Sequence, residues 1–229
     1  SDVCSSDLAA TPSANLSVSR YGPGATGSST AGYFGGGGAP GGKSYSTMDK
    51  VSYSTDTTAA SSGAALSAGR GYLAASSAKA NALPAGGSVP SGPSTRFSDS
   101  FSSPNAGYFG GGFAPGPAYY STVDKVTYAT DTTAAVPGAA LSVARYALAA
   151  TSSSTAGYFG GGYTTSSVMD KVTYVTDTTA AVPGASLSVA RYYLAATGSS
   201  SAGYFGGGQN SPVYSTMDKV TYAFDTTAA

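Results

Sequence analysis

The sequence predicts an all-β protein assembled from tandem copies of one short repeat. Four copies of AGYFGGG, the glycine block, begin at residues 31, 106, 156 and 202. A variant of DKVTYATDTT, the Asp-Lys block, follows each copy, at 49–58, 124–133, 170–179 and 218–227. Tyr and Thr favour strands, whereas Gly, Ser and Pro favour turns. No long stretch has the 3.6-residue apolar period of an amphipathic helix.

Within one repeat, three segments have the two-residue alternation that is typical of a β-strand. They are Tyr146–Thr151, then Ala156–Phe159, then a segment equivalent to Lys125–Thr130 of the preceding repeat. We expect a fourth, weaker strand within Ala135–Val143, where a Pro-Gly pair favours an edge position or a turn. The Asp-Thr-Thr at 131–133 has side-chain oxygens of the kind that stabilise turns.

Consecutive repeats are expected to pack against each other. The Phe residues of the glycine block lie at 34, 109, 159 and 205, so the repeats are spaced by 75, 50 and 46 residues. Four short strands in a unit of that size form one small antiparallel sheet, which cannot bury both of its faces alone. Stacking such sheets around an axis covers both faces, because Gly and Ala on one sheet leave room for Tyr, Phe and Leu of the next.

Together, the motifs R-Y-x-L-A-A-T, G-Y-F-G-G and D-K-V-x-Y-x-x-D-T resemble the kelch repeat. The resemblance covers residues 9–229 apart from one irregular stretch. It implies a kelch-like β-propeller with about four blades present, as a fragment of a larger propeller. The Trp of the kelch repeat is replaced here by Ala135 or Val136. The resemblance therefore does not imply the kelch type of blade packing at this position. In its richness in Ser, Thr, Tyr and Gly, rather than in a motif, the chain also resembles repeat proteins of marine tailed phages.

Residues 1–8, SDVCSSDL, resemble the translation of a common sequencing adapter, so we exclude them and their Cys4 from the fold. On this interpretation the chain is a fragment from assembled environmental reads. The kelch-like repeat domain then occupies 9–229, with repeats at about 9–58, 59–133, 134–179 and 180–229. An irregular stretch at about 78–103, rich in Pro, Gly and Ser, is a degenerate repeat, an insertion or an assembly error.

The composition excludes several classes of function. The chain has no His and one Cys, which leaves no His-based catalytic triad, Cys/His zinc site or imidazole-bound copper. Eleven basic residues balance eleven acidic ones, so no net charge attracts nucleic acid or anionic membranes. No apolar stretch approaches the length of a transmembrane helix. We expect no enzyme activity, cofactor, metal, nucleic-acid partner or membrane insertion.

An Arg and an Asp recur at fixed positions, and a residue needed in every copy is more typical of structure than of catalysis. We expect each Arg to be buried or half-buried, and paired with an Asp or stacked on a Tyr of the adjacent blade. The alternative is a ring of Arg side chains that binds an anion. We expect the Asp to cap a turn. These structural residues are Arg20, Arg70, Arg145 and Arg191, and Asp56, Asp131, Asp177 and Asp225.

The loops after the glycine block differ between repeats, whereas the flanking strands stay constant. Variable loops on a constant scaffold are typical of recognition surfaces. The loops occupy 38–45, 113–120, 163–166 and 209–214, and several carry Tyr, which gives contact area and a hydroxyl at low entropic cost. The candidate binding residues are Tyr45, Tyr119, Tyr120, Tyr163, Gln209, Asn210 and Tyr214.

Three functions follow as hypotheses. The first is a non-enzymatic binding or adhesion propeller that recognises a glycan or a protein, with a virion-associated or extracellular location. The second is a purely structural repeat protein. The third is a fragment of a propeller enzyme whose catalytic residues lie outside this chain. Constant strands with varied loops favour the first.

Overall fold

The computed structural model describes residues 14–77, 106–116, 118–164 and 166–229. These residues form four antiparallel four-stranded sheets, which confirms the predicted all-β class. The strands of sheet 1 are Gly24–Gly27, Ala31–Gly35, Met48–Ser52 and Thr57–Ala60; those of sheet 2 are Ala74–Ser77, Ala106–Gly110, Val123–Thr127 and Thr132–Ala135. The strands of sheet 3 are Ala149–Ser152, Ala156–Gly160, Met169–Thr173 and Thr178–Ala181; those of sheet 4 are Ala195–Gly198, Ala202–Gly206, Met217–Thr221 and Thr226–Ala228.

Each sheet is an antiparallel meander in which the spatial order of the strands follows their order along the chain. The second strand, from the glycine block, and the third, from the Asp-Lys block, form the centre of every sheet. In sheet 3, Tyr158 lies opposite Lys171 and Phe159 opposite Asp170. The same register recurs in the other sheets, so each repeat places equivalent side chains at equivalent points. A short two-stranded ribbon extends from each of the first two sheets. The ribbon of sheet 1 pairs Gly38–Ala39 with Lys43–Ser44, and that of sheet 2 pairs Phe113–Ala114 with Ala118–Tyr119.

Three of the predicted strand positions are wrong in an informative way. The strand expected over Lys125–Thr130 runs over Val123–Thr127, because a turn begins at Tyr128. The strand expected over Tyr146–Thr151 begins only at Ala149, because Ala147 has a φ of 54°, in the left-handed region that a strand does not accept. The fourth strand does not lie within Ala135–Val143. It runs over Thr132–Ala135, and a short 3-10 turn at Pro137–Ala139 follows it.

The turn between the third and fourth strands is set by its last residue, an Asp. Asp56, Asp131, Asp177 and Asp225 have φ angles of 51° to 52°. Asp is among the few residues that enter the left-handed region readily, because its short polar side chain can hydrogen-bond locally. The turn thus occupies the four residues up to this Asp, and the strand begins at the Thr that follows.

The apolar core lies between the sheets. Between sheets 2 and 3, the fully buried ring of Phe159 packs over Gly110, where a Cβ atom would come within 2.9 Å of that ring. Beside it, the rings of Tyr108 and Tyr174 stack with their centroids 4.9 Å apart. Equivalent clusters fill the spaces between sheets 1 and 2 and between sheets 3 and 4. Each sheet therefore depends on its neighbours for burial.

The first strands of all four sheets line one shared cavity of about 340 Å³, whose walls carry mostly hydroxyls and small side chains. At the opposite end of these strands, backbone hydrogen bonds connect successive sheets. The amide of Tyr72 donates to the carbonyl of Gly22, that of Ala147 to Tyr72, and that of Tyr193 to Ala147. The sheets are thus arranged in chain order about a common cavity.

Residues 1–8 and the irregular stretch at 78–103 lie outside the described residues. The strands that flank the second segment, Ala74–Ser77 and Ala106–Gly110, pair directly with each other. The long interval between repeats therefore falls between two adjacent strands of sheet 2. No helix within the described ranges is long and apolar enough to cross a membrane.

Candidate functional site

Every variable loop is closed at its base by the same backbone hydrogen bond. The amide of the last loop residue donates to the carbonyl of the last glycine of the glycine block. The donors are Tyr45, Tyr120, Ser166 and Tyr214, and the acceptors are Gly37, Gly112, Gly162 and Gly208. These glycines have φ angles of 92° to 119°, a backbone that side chains disfavour. The triplet thus fixes where each loop leaves and re-enters the sheet.

The first residue of each loop pairs with the residue that follows the recurring Arg. In sheet 3, Tyr163 forms an antiparallel bridge with Tyr146, and in sheet 4 Gln209 forms one with Tyr192. The equivalent pairs in the first two sheets are Gly38 with Tyr21 and Phe113 with Gly71. A loop residue and a residue from the constant part of the repeat therefore stand side by side at one end of the molecule.

This pairing collects aromatic rings into a continuous surface, which we call the aromatic end. The ring centroids of Tyr146 and Tyr163 lie 5.1 Å apart, and those of Tyr163 and Tyr192 lie 5.2 Å apart. Tyr72 connects the four repeats, because its ring lies 5.6 to 6.1 Å from rings of the other three. The members of the aromatic end are Tyr21, Tyr72, Phe113, Tyr119, Tyr146, Tyr163, Tyr192 and Tyr193.

Much of this surface faces solvent. Tyr193 is 51% exposed, Tyr21 46% and Tyr163 36%. Between Tyr72 and Tyr193 lies a depression of about 250 Å³, whose other lining residues are Gly, Pro, Ala and Leu. Exposed contiguous apolar surface on a soluble domain often marks an interaction site. The depression offers ring faces and phenolic hydroxyls but no charged group.

Two phenols at this end, those of Tyr146 and Tyr193, stay neutral at physiological pH. Burial, followed by the neighbouring phenols, raises the pKa values of Tyr146 and Tyr193 above the ordinary value of 10.0. Each hydroxyl therefore remains both a donor and an acceptor. The aromatic end can pack against an apolar face of a ligand and hydrogen-bond to hydroxyls at its edge.

The structure separates the candidate binding residues into two groups. Tyr119 and Tyr163 belong to the aromatic end, and Gln209 borders it through its bridge to Tyr192. Tyr120 instead lies against the guanidinium of Arg70, 5.8 Å from its ring centroid. The remaining three are half-buried: Tyr45 and Tyr214 close the bases of their loops, and Asn210 donates its amide to Pro212.

Sequence reasoning missed the aromatic residues that the constant part of the repeat supplies. Tyr146 was assigned to a strand face, although it precedes the strand, and Tyr72 and Tyr193 occupy left-handed positions. One signal could have found them. The residue at this left-handed position varies between repeats, as Gly22, Tyr72, Ala147 and Tyr193, just as the loops do.

The recurring Arg side chains are fully buried ion-pair partners. Each pairs with the Asp of the Asp-Lys block in its own sheet, and both side chains are 0% exposed. The pairs are Arg20–Asp49, Arg70–Asp124, Arg145–Asp170 and Arg191–Asp218, at 2.6 to 2.8 Å. The guanidinium groups already face carboxylates in the interior, so this geometry favours ion pairing over a ring of Arg open to an external anion.

The Asp at the end of each turn reaches the preceding sheet. Asp177 of sheet 3 accepts hydrogen bonds from Lys125 and Tyr108 of sheet 2, at 2.7 and 2.6 Å. We call this arrangement the clasp. Asp131 makes the same bonds to Lys50 and Tyr33, and Asp225 to Lys171 and Tyr158. The clasps connect neighbouring sheets, whereas the Arg–Asp pairs stabilise each sheet internally.

Comparison with models of known protein families finds no match to this chain, and comparison with curated protein sequences finds none either.

Proposed function

We propose that the chain is a non-enzymatic carbohydrate-binding module, in which four blades of a kelch-like β-propeller present the aromatic end to a neutral glycan. The observation that carries the proposal is the group of solvent-facing Tyr rings around an uncharged depression. A sugar ring has an apolar C–H face and a rim of hydroxyls, which match the ring faces and phenols of tyrosine.

Three features support the propeller part of the proposal. Every sheet has the same strand order, and the first strands line one cavity. Backbone hydrogen bonds run from one sheet to the next at the end of these strands opposite the cavity. Large side chains of one sheet fill the glycine positions of the previous sheet, as blades of a propeller do.

The state of the carboxylates supports a role without catalysis. A general acid or base must reach its substrate. Among the described residues, seven Asp side chains pair with an Arg or Lys side chain. The Asp partners of Arg are also fully buried. This leaves the aromatic end as the surface best suited to recognition.

A glycan array followed by calorimetric titration of the best ligand tests this proposal. Tyr163→Ser and Tyr193→Asn remove two exposed rings, and Asn tolerates the left-handed backbone at residue 193. Each substitution should weaken binding about tenfold, which corresponds to about 1.4 kcal/mol. Phe224→Ser is a matched control, because Phe224 is 77% exposed but lies in a turn outside the aromatic end, and it should bind like the wild type.

Two results would overturn the proposal. The first is an array on which the wild-type chain binds no glycan. The second is unchanged affinity in the Tyr163→Ser and Tyr193→Asn variants, with thermal unfolding confirming that both remain folded.

A further inference from the structure

One equivalent residue from each repeat lines the depression of the aromatic end. We call its place in the repeat the rim position, and it comes two residues after the recurring Arg. The rim positions are Gly22, Tyr72, Ala147 and Tyr193. All four have φ angles of 54° to 61°, in the left-handed region of the backbone. The four repeats thus build one depression from four equivalent points.

Backbone hydrogen bonds hold the rim positions together without the help of their side chains. The amide of each of the last three donates to the carbonyl of the one before it, at 2.8 to 2.9 Å. Gly, Ala and Tyr all occupy this conformation in the same chain. The side chain at a rim position can therefore differ between repeats while the backbone stays the same, and it determines how much room the depression offers.

Two rim positions carry rings and two carry small residues. The rings of Tyr72 and Tyr193 lie 5.9 Å apart and are inclined at 67° to each other. A side chain at Gly22 has no room, because a Cβ atom there would come within 3.0 Å of the Tyr72 ring. Ala147 adopts the left-handed backbone although it has no polar group to stabilise it locally. Its methyl group leaves open the side of the depression that a third tyrosine ring would fill.

The base of the depression is apolar. The least exposed of its lining residues have exposures of only 6% to 8% and no polar side-chain atom; they are Leu73, Ala147, Leu148 and Leu194. A hydroxyl that reaches this base meets no side-chain partner, and burying an unpaired hydroxyl costs free energy that a methyl group does not. The side-chain hydroxyls of the depression belong to Tyr72 and Tyr193. The depression therefore suits a ligand that is apolar at its tip and polar along its sides.

A 6-deoxyhexose has this distribution, because it carries hydroxyls on its ring and a methyl group in place of the C6 hydroxymethyl. Resting on the proposed glycan-binding function, we propose that the depression binds a terminal 6-deoxyhexose. The methyl group lies on the apolar base, in the room left by Ala147, and the ring hydroxyls bond to the phenols of Tyr72 and Tyr193. The volume of about 250 Å³ is below the range of about 300–1,000 Å³ that is typical of sites for drug-sized ligands. It suits one sugar unit at the end of a glycan.

The test compares sugars that differ only in the hydroxyl at C6. The full chain is titrated, with NMR detection, with methyl α-L-fucopyranoside and its 6-hydroxy partner methyl α-L-galactopyranoside. Methyl α-L-rhamnopyranoside and methyl α-L-mannopyranoside form a second pair. In at least one pair the 6-deoxy sugar should bind about tenfold more tightly, because its partner buries an unpaired hydroxyl.

Two substitutions at the rim position of sheet 3 test where the sugar lies. Ala147→Tyr introduces the residue that two other repeats have at this position, and it should weaken binding of the preferred sugar at least tenfold by filling the depression. Ala147→Asn accepts the left-handed backbone and places an amide near the base. Because this amide can bond to a C6 hydroxyl, the preference for the 6-deoxy sugar should fall several-fold.

Val175→Tyr is the matched control. Val175 is 82% exposed in a turn of the same sheet, outside the aromatic end, so the added ring should leave binding and preference unchanged. Thermal unfolding checks that each variant is folded. Equal affinities within both sugar pairs, or an unchanged preference in Ala147→Asn, would overturn this proposal. If the glycans found on the array still required Tyr163, the proposed function would stand without it, whereas a chain that binds no glycan at all would overturn both.

Discussion

The Arg–Asp pairs and the Lys–Asp clasps recur with the same period but differ in burial and reach. Arg145 and Asp170 are both 0% exposed and belong to one sheet. Lys125 and Asp177 are 22% and 33% exposed and join two sheets. A buried ion pair is costly to break, whereas a partly exposed pair is screened by water. The difference separates two tasks: the buried pair is part of the structure of each repeat, and the clasp determines how repeats join.

The largest effect should come from breaking a buried pair. Arg145→Met leaves the Asp170 carboxylate buried without its partner, so we expect the free energy of unfolding to fall by about 3–5 kcal/mol. Urea denaturation measures the change. The double variant Arg145→Met/Asp170→Leu should recover much of the loss, because it leaves no buried charge. An Arg145→Met variant as stable as the wild type would contradict the stabilising role of this buried ion pair.

A smaller effect should come from the clasp. Asp177→Asn keeps a residue that accepts the left-handed backbone and removes the charge that binds Lys125 and Tyr108. Because this site is partly exposed, we expect a loss of about 1–2 kcal/mol. The double variant Asp177→Asn/Lys125→Met should lose less stability than the sum of the two single losses, since both substitutions remove the same interaction. Additive losses in this double-mutant cycle would show that the contact contributes nothing.

The smallest effect should appear at acid pH. Burial raises the pKa of Asp131, but the hydrogen bonds from Lys50 and Tyr33 and the charge of Lys50 outweigh it, so the pKa lies below the ordinary 3.8. The stabilisation from this clasp is therefore complete above about pH 4 and is lost as the pH falls through the lower folded-state pKa. The stability difference between the wild type and Lys50→Met should shrink in that range. A difference that stays constant down to about pH 2 would contradict the coupling.

The local sequence pattern predicted the strands within a repeat better than it predicted the contacts between repeats. Two-residue alternation located the central strands, since period-two burial depends only on the sheet itself. It misplaced the first strand, because nothing in Tyr146–Ala147 signals a left-handed residue. The clasp was missed because Asp177 meets Tyr108, 69 residues earlier in the chain, and such a contact depends on which sheets are neighbours.

The candidate site shows the same limit. The loops identified Tyr119 and Tyr163 as candidates, because sequence variation between repeats is visible in the sequence. The contribution of Tyr72 and Tyr146 depends on the backbone bridges that place loop and constant residues side by side. The packing of Tyr120 on Arg70 likewise follows from the folded geometry, so its spacing in the sequence could not distinguish it from Tyr119.

The glycine-anchored closure of each loop has a consequence for how such a molecule can change. The same hydrogen bond seals the loop that ends at Tyr45 and the shorter one that ends at Ser166. Because this bond joins backbone atoms, changes at exposed positions between its two ends leave it in place. Loops of different length and sequence can therefore be exchanged one at a time, and an engineer could graft foreign segments onto four positions of a single scaffold.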